Sequence, residues 1–270
     1  MVQLSYERYC TEIVAQTDLL RASVGGADPA APVPTCPGWN LGQLLRHLGG
    51  AHRWAAEVVR ARGTGPVPDD LVNDVPERAD EDPGELDAYL AEGAGRLAGA
   101  LRAAGPAARV WTPVPGKSEA SPLFWARRMT HETAVHRADA TWAAGGEFTV
   151  AEDVAVDALD EWMEFGTLPE VFEAAPGLRQ LLGDGRRLHF RATDTAVEAD
   201  AQWLAGLSGE HLVWSRGRGP AATVVRGPLT GLLLTVYGRG RHGSGRGVEV
   251  GGDTELFTAW QAGTGFWLHE

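Results

Sequence analysis

The chain has 270 residues and a formal net charge of −12 at pH 7. Hydrophobic residues make up 44% and charged residues 22%, the balance of a globular protein long enough for two domains. The negative charge argues against nucleic-acid or anionic-membrane partners, because both need a basic surface. Two cysteines, the lack of a long apolar run and the polar N-terminal segment predict a cytoplasmic protein.

The first half of the sequence contains four segments with helical periodicity. They are predicted at residues 4–22, 41–61, 85–104 and about 121–144. Asn40 is a good N-cap for the second helix. Long connections rich in Gly and Pro, at 63–84 and 105–120, separate the later helices. Four helices with their apolar stripes turned inward predict a bundle, whose core can assemble a metal site from facing helices.

The character of the sequence changes near residue 147. Helical segments at 150–165 and 169–175 are followed by short strand patterns, then by an apolar helix within 227–239 and a last helix near 253–262. Residues 186–200 have the pattern of a strand, a turn and the start of another strand, and further short strands are predicted at 211–214, 222–226 and 248–250. We therefore predict an α+β protein with a helical domain at 1–147 and a smaller α/β domain at 148–270.

The stretch "RRMTHETAVHRADA" at 127–140 concentrates polar chemistry in an alanine-rich chain. Glu132 and His136 are four residues apart, so a helix presents both on one face. His47 lies at the edge of the inward apolar stripe of the second predicted helix and can point into the core. Glu132, His136 and His47 therefore form one coherent set.

Two other histidines do not share this direction. His52 is about 140° around its helix from His47, and His131 points about 100° away from Glu132. Two imidazoles and a carboxylate with an open position are typical of catalytic zinc or non-haem iron sites. The alternative is that Glu132 and His136 form an ordinary surface hydrogen bond while His47 is a satisfied core residue.

"PTCPGWNLGQLLRHLGGAHRWAAEVV" at 34–59 contains the patterns "CPGW" and "L-x-x-H-L". "MTHETAVHRADA" at 129–140 contains the pattern "H-E-x-x-x-H-R-x-D". In these patterns and their order the sequence resembles the maleylpyruvate isomerase family of mycothiol-dependent enzymes. The likeness continues more weakly through "HFRATD", "VVRGPLTGLLLTVYGR" and "GGDTELFTAW" in the second half.

The resemblance implies a DinB-like four-helix bundle followed by a small, SCP2-like α/β domain. It implies a divalent metal, usually Zn²⁺, held by His47, Glu132 and His136, with mycothiol as cosubstrate. It also implies a functional arginine in an "L-x-x-x-G-R" setting, which Arg239 matches; Arg226 is the second candidate.

The implied chemistry is a metal-bound thiolate that isomerises or conjugates a small electrophile. The thiolate would add to a conjugated double bond and leave after rotation in an isomerase, or stay attached in an S-transferase. A 2+ ion makes this feasible because it deprotonates a bound thiol at neutral pH. The alternatives are a metal-dependent biosynthetic enzyme that uses no thiol, and a non-catalytic protein that sequesters a small ligand.

Four further residues have two interpretations each. His131 and Asp139 orient a ligand imidazole or are ordinary polar helix residues. Trp39 is expected to be a core anchor rather than a pocket wall, and Cys36 a buried structural thiol rather than a nucleophile.

Overall fold

The structure is a computed structural model, and it describes residues 3–265 except 64, 66, 69–71, 73–74, 77–80, 115–120, 184, 210 and 241–246. The chain divides into two compact units, one spanning Leu4–Phe148 and the other beginning at Thr149. Among the described helices, none combines the length and the apolar character needed to cross a membrane. The predicted α+β fold class is confirmed.

The first unit contains the four predicted helices. They are α1 (Tyr6–Val24), α2 (Leu41–Ala61), α3 (Pro83–Ala104) and α4 (Pro122–Ala143). Each begins at a polar N-cap whose side chain accepts a backbone N–H: Ser5, Asn40, Asp82 and Ser121. At Asn40 the cap is reciprocal, because Gln43 Oε1 also accepts the Asn40 N–H at 3.0 Å. The predicted N-cap of the second helix is therefore confirmed.

Hydrogen bonds between helices define their directions. Thr130 bonds the Tyr9 carbonyl and Arg137 bonds Gln16, so α4 runs parallel to α1. The Tyr6 hydroxyl reaches the Leu101 carbonyl at 2.7 Å, at opposite ends of their helices, so α3 runs antiparallel to α1. Arg46 pairs with Glu81 and Arg53 with Glu92, so α2 runs parallel to α3, and the bundle is up, down, down, up.

The connection between α2 and α3 is long because two parallel helices need a return path. It runs back along α2: the Trp54 indole donates to Val67 O at 3.0 Å, His47 Nδ1 lies 2.9 Å from Val72 O, and the Gln43 amide donates to Val75 O at 2.9 Å. This predicted connection thus covers one face of α2 and supplies a backbone carbonyl to His47.

The second unit is a five-stranded mixed sheet with helices. In chain order it contains α5 (Glu152–Gly166), α6 (Pro169–Ala174), a 3₁₀ helix (Pro176–Leu181), β1 (Arg187–Ala192), a 3₁₀ turn (Val197–Ala199), β2 (Gln202–Gly206), β3 (Val213–Arg216), β4 (Thr223–Gly227), α7 (Leu229–Val236), β5 (Glu249–Gly252) and α8 (Thr254–Thr264). The strand order is β3-β2-β1-β4-β5, and only the β1–β4 pair is parallel.

The core of the second unit lies against one face of this sheet. Phe190 is fully buried in β1, and its ring centroid is 4.9 Å from that of Trp260 in α8. The expected second strand near 196–200 is wrong: residues 197–199 form a 3₁₀ turn, and β2 begins at Gln202. The left-handed backbone of Asp200 (φ 43°) accounts for the delay, because such a residue cannot continue an extended strand.

The contact between α2 and α3 depends on a glycine. A Cβ added at Gly49 would lie 2.4 Å from the Tyr89 ring, which is itself held by the Arg53 guanidinium 3.5 Å from its centroid. We predict that Gly49→Ala lowers the free energy of unfolding by about 1–3 kcal/mol through overpacking. Gly95→Ala is the matched control on α3, where the space is open and alanine's helix propensity should add up to about 1 kcal/mol. Urea denaturation of both variants measures the effect, and equal stabilisation by the two changes would contradict it.

Candidate metal centre

The structure brings His47, Glu132 and His136 together. One ligand atom from each lies within 4.8 Å of the other two. Glu132 Oε1 is 2.9 Å from His136 Nε2 and 3.8 Å from His47 Nε2, so one carboxylate oxygen faces both imidazoles. The two rings stand nearly perpendicular, with centroids 5.1 Å apart. This convergence arises because α2 and α4 run antiparallel in contact, with His52 beside Thr133 and His47 beside His136.

The far side of each ring has a hydrogen-bond acceptor that selects a tautomer. His47 Nδ1 lies 2.9 Å from Val72 O, and a carbonyl can only accept. His136 Nδ1 lies 3.0 Å from Asp139 Oδ2, and this carboxylate is fully buried. Both Nδ1 atoms therefore carry a proton, which leaves both Nε2 atoms directed at Glu132.

The two oxygens of Glu132 have different partners. Arg128, one turn earlier on α4, donates to Oε2, while Oε1 faces the imidazoles. Burial by itself raises the pKa of Glu132, but His136 and Arg128 outweigh burial and hold the pKa well below its usual range. Glu132 is therefore a carboxylate at neutral pH, with one oxygen turned to the centre of the cluster.

His136 lies between two carboxylates. Burial lowers its pKa, but Glu132 and Asp139 exceed that effect and raise the pKa to about 9. The cluster thus favours positive charge between these acidic groups. A divalent cation bound by Nε2 would replace the proton there and meet the same favourable field.

The donor set fits a metal ion. Zinc bonds to nitrogen and oxygen are about 2 Å long, so ligand atoms around one ion lie roughly 3–4 Å apart. The measured separations of 2.9 and 3.8 Å fall near that range. Two imidazoles and a carboxylate leave at least one coordination position for a further ligand, as catalytic sites do.

The loop between α1 and α2 lies against this cluster. Trp39 is half-buried, and its ring centroid is 5.1 Å from that of His47 in an edge-to-face contact. It also packs against the apolar core of the bundle, as expected of a core anchor. Cys36 is only half-buried, and its thiol donates to Asp139 Oδ2 at 3.6 Å. Cys36 is thus less buried than expected, although it packs against the core of the bundle, and its role as a structural thiol stays a prediction.

The two remaining bundle histidines lie outside this set. His52 is fully buried, and its Nε2 is 2.9 Å from the Thr133 hydroxyl. His131 is also fully buried, with its ring edge-on to Tyr9 and the two centroids 6.3 Å apart. Asp139, by contrast, contacts the His136 ring directly. Of the two predicted orienting groups, Asp139 occupies such a position, whereas His131 faces α1.

The two arginine candidates of the second unit differ sharply in environment. Arg239 is buried at the end of α7, where its backbone N–H bonds Leu234 O and its guanidinium donates to Tyr237 O at 2.7 Å. Gly238 supplies the left-handed turn (φ 76°) that ends the helix just before Arg239. Arg226 is exposed on β4 and paired with Glu249.

Three contacts around the cluster are absent from the sequence analysis. The first, between Arg128 and Glu132, could have been found there, because residues four apart on a helix often form an ion pair. Thr35 lies in the "PTCPGW" stretch, and its hydroxyl donates to Asp139 Oδ1 at 2.6 Å. Val72 contributes only its backbone carbonyl, for which side-chain patterns give no signal.

A helical bundle that gathers two imidazoles and a carboxylate, followed by a small mixed-sheet unit, defines a two-part α+β class of protein. Residues 10–141 match the family described as the mycothiol maleylpyruvate isomerase N-terminal domain, and residues 153–259 match the C-terminal domain of the same family. The chain belongs to the maleylpyruvate isomerase family of mycothiol-dependent enzymes, and the predicted family and enzyme class are confirmed.

Solved structures agree on the fold. The crystal structure of the mycothiol-dependent maleylpyruvate isomerase matches with a TM-score of 0.61 and 17% identity, and that of its histidine-to-alanine mutant with 0.61 and 16%. Each match covers 93% of this chain and 95% of the other. No curated protein matches the sequence.

His52 makes the bundle sensitive to acid. The Thr133 hydroxyl already donates to Met129 O, so it accepts from His52 Nε2, and Nδ1 has no hydrogen-bond partner among the described residues. Burial, followed by the Arg53 charge, lowers the pKa of His52 to about 3 from an ordinary 6.5. The folded state therefore binds fewer protons than the unfolded chain between these values, and stability is lost as pH falls from 6.5 towards 3.

We predict that His52→Gln reduces this acid sensitivity. Between pH 6.5 and 4.5, parent protein should lose up to roughly 2.7 kcal/mol more unfolding free energy than the variant, at about 1.36 kcal/mol per pH unit. Denaturant titrations in the presence of a chelator at both pH values measure the difference. Identical pH slopes for the two proteins would show that His52 is not the responsible group.

Proposed function

We propose that this protein uses a divalent metal, preferably Zn²⁺, and mycothiol to isomerise or conjugate a small electrophilic substrate. His47, Glu132 and His136 hold the metal. The observation that carries the proposal is the convergence of their three ligand atoms within 4.8 Å, each imidazole having its Nδ1 proton committed to another acceptor. Family membership adds mycothiol as the thiol cosubstrate.

The protein residues set the geometry and charge of this centre. Val72 O and Asp139 fix the two imidazole tautomers, and Arg128 keeps Glu132 Oε2 away from the centre. Zn²⁺ bound there would stabilise the thiolate of mycothiol at neutral pH, where a free thiol is mostly protonated. Trp39 packs edge-to-face against the His47 ring and helps to hold it in place.

Arg239 is the proposed catalytic residue of the second unit. A planar guanidinium binds a carboxylate bidentately and stabilises enolate charge as it develops. Its burial and its hydrogen bond to Tyr237 O hold the side chain in one position, whereas Arg226 is exposed on β4. Arg239 is thus better suited to a substrate carboxylate than Arg226.

The two units are proposed to be two domains, at 1–147 and 148–270, of a cytoplasmic enzyme. The net charge of −12 supports small-molecule partners over nucleic acid, because a phosphate backbone repels an acidic surface.

Metal and thiol binding test this function together. We predict that purified parent protein holds about one equivalent of zinc and is stabilised by mycothiol, by roughly 2.7 kcal/mol at 100 times the dissociation constant. His136→Ala should lose both the zinc and the thiol-induced shift in melting temperature. Metal analysis and thermal-shift titration provide the two measurements.

The matched control for that variant is His131→Gln, on the same helix with its ring against Tyr9. It should keep the metal and the mycothiol response. Full zinc occupancy in His136→Ala would exclude the proposed ligand set. Zinc without any stabilisation by mycothiol would exclude the thiol chemistry and favour an enzyme that uses the metal alone.

Arg239 is tested by a charge-conserving change. We predict that Arg239→Lys lowers kcat/KM by roughly 100-fold, because lysine cannot reproduce the bidentate geometry, and leaves zinc content unchanged. Arg226→Lys is the control and should retain activity, since its side chain is exposed and paired. The assay follows loss of the electrophile's absorbance in the presence of mycothiol. Equal rates for Arg239→Lys and parent would remove Arg239 from the catalytic machinery.

A further inference from the structure

The loop between α1 and α2 contains a turn that is held by backbone hydrogen bonds. In the segment 28–40, Val33 N donates to Trp39 O at 2.9 Å, and Trp39 N donates to Cys36 O at 3.0 Å. Gly38 takes the left-handed conformation (φ 86°) that closes this turn. Thr35 and Cys36 therefore project from a hydrogen-bonded turn rather than from a free chain.

This turn reaches the carboxylate behind a metal-ligand candidate. Asp139 is fully buried, and three side chains donate to it: Thr35 to Oδ1 at 2.6 Å, Cys36 to Oδ2 at 3.6 Å, and the His136 Nδ1–H to Oδ2 at 3.0 Å. A buried carboxylate is costly unless hydrogen bonds compensate its lost hydration. The loop thus supplies two of the hydrogen bonds that compensate this carboxylate, in addition to the one from His136 of α4.

We propose that Thr35 and Cys36 are positioning residues, which orient Asp139 so that the His136 ring presents Nε2 to Glu132 and His47. This inference rests on the proposed metal function, since the orientation of Nε2 matters there for metal affinity. Thr35 carries most of the effect, because its bond is short and charge-assisted, whereas a thiol is a weak donor. Removing such an outer partner typically costs 10- to 100-fold in metal affinity.

Cys36, His136 and Asp139 themselves meet the geometry of a possible cation site, with ligand atoms within 4.8 Å. The hydrogen bonds of Asp139 favour an orienting role for these residues over the binding of a cation. Binding a cation there would remove the His136 Nδ1 proton that Asp139 accepts, and Oδ1 of Asp139 already accepts the Thr35 hydroxyl. The orienting role predicts one zinc ion per chain, whereas a cation site at Cys36 predicts a second.

The test compares Thr35→Val, which removes the hydroxyl at nearly constant volume, with Thr35→Ser, which keeps it. Thr141→Val is the matched control, because Thr141 is a buried threonine of α4 whose hydroxyl bonds Ser23 instead. Competition titrations give the dissociation constant for zinc. Proton NMR of the metal-free protein gives the His136 Nδ1–H resonance, which a strong bond to Asp139 shifts downfield.

We expect Thr35→Val to weaken zinc binding by roughly 10- to 100-fold and to move the Nδ1–H resonance upfield. Thr35→Ser and Thr141→Val should resemble the parent in both measurements. Thr35→Val combined with Cys36→Ala should weaken zinc binding further, with about one equivalent of zinc still bound at saturation.

Three results would overturn this inference: parent-like zinc binding and resonance in Thr35→Val, equal losses in Thr35→Val and Thr35→Ser, or a second zinc equivalent that disappears with Cys36→Ala. Failure of the parent protein to bind zinc would instead refute the proposed function. In that case the NMR comparison in metal-free protein still decides the role of Thr35.

Discussion

The antiparallel contact between α2 and α4 is the constraint on which the candidate site depends. His47 comes from one helix and Glu132 with His136 from the other, and only this pairing places their ligand atoms within 4.8 Å. The up, down, down, up order makes α2 and α3 parallel, so the chain must return along α2. That return segment supplies Val72 O to His47. The order of the helices in the bundle therefore also determines one hydrogen bond of the site.

Electrostatics inside the bundle complements this geometry. Asp139 and Glu132 flank His136, and their charges raise its pKa although burial opposes the charged form. Arg128 donates a hydrogen bond to Glu132 on one side, and Thr35 donates one to Asp139 on the other. Such a cluster gains when a cation enters, since the negative charges are already in place and hydrogen-bonded.

Much of the fold could be predicted from local sequence. The capping signal at Asn40, the heptad-like apolar stripes and the Gly- and Pro-rich connections locate the bundle helices to within a few residues. The boundary of β2 was misplaced, because the chain turns at Asp200 through a left-handed conformation that a non-glycine residue rarely adopts. The contact that Cys36 makes cannot be predicted from local sequence. The neighbours of Cys36 along the chain are apolar or small, whereas its partner Asp139 is more than a hundred residues away.

The sequence by itself determined the helices, the four-residue spacing of Glu132 and His136, and membership of the family, because these depend on local periodicity and on motifs read along the chain. Tertiary structure alone brought Thr35 and Val72 to the site. Thr35 reaches Asp139 across 104 residues, and the Val72 carbonyl reaches His47 across 25. A side-chain pattern predicts which face of a helix is buried, but it does not predict which residue packs against that face. A contact through a backbone carbonyl, such as that of Val72, cannot be predicted from side-chain patterns, because every residue has such a carbonyl.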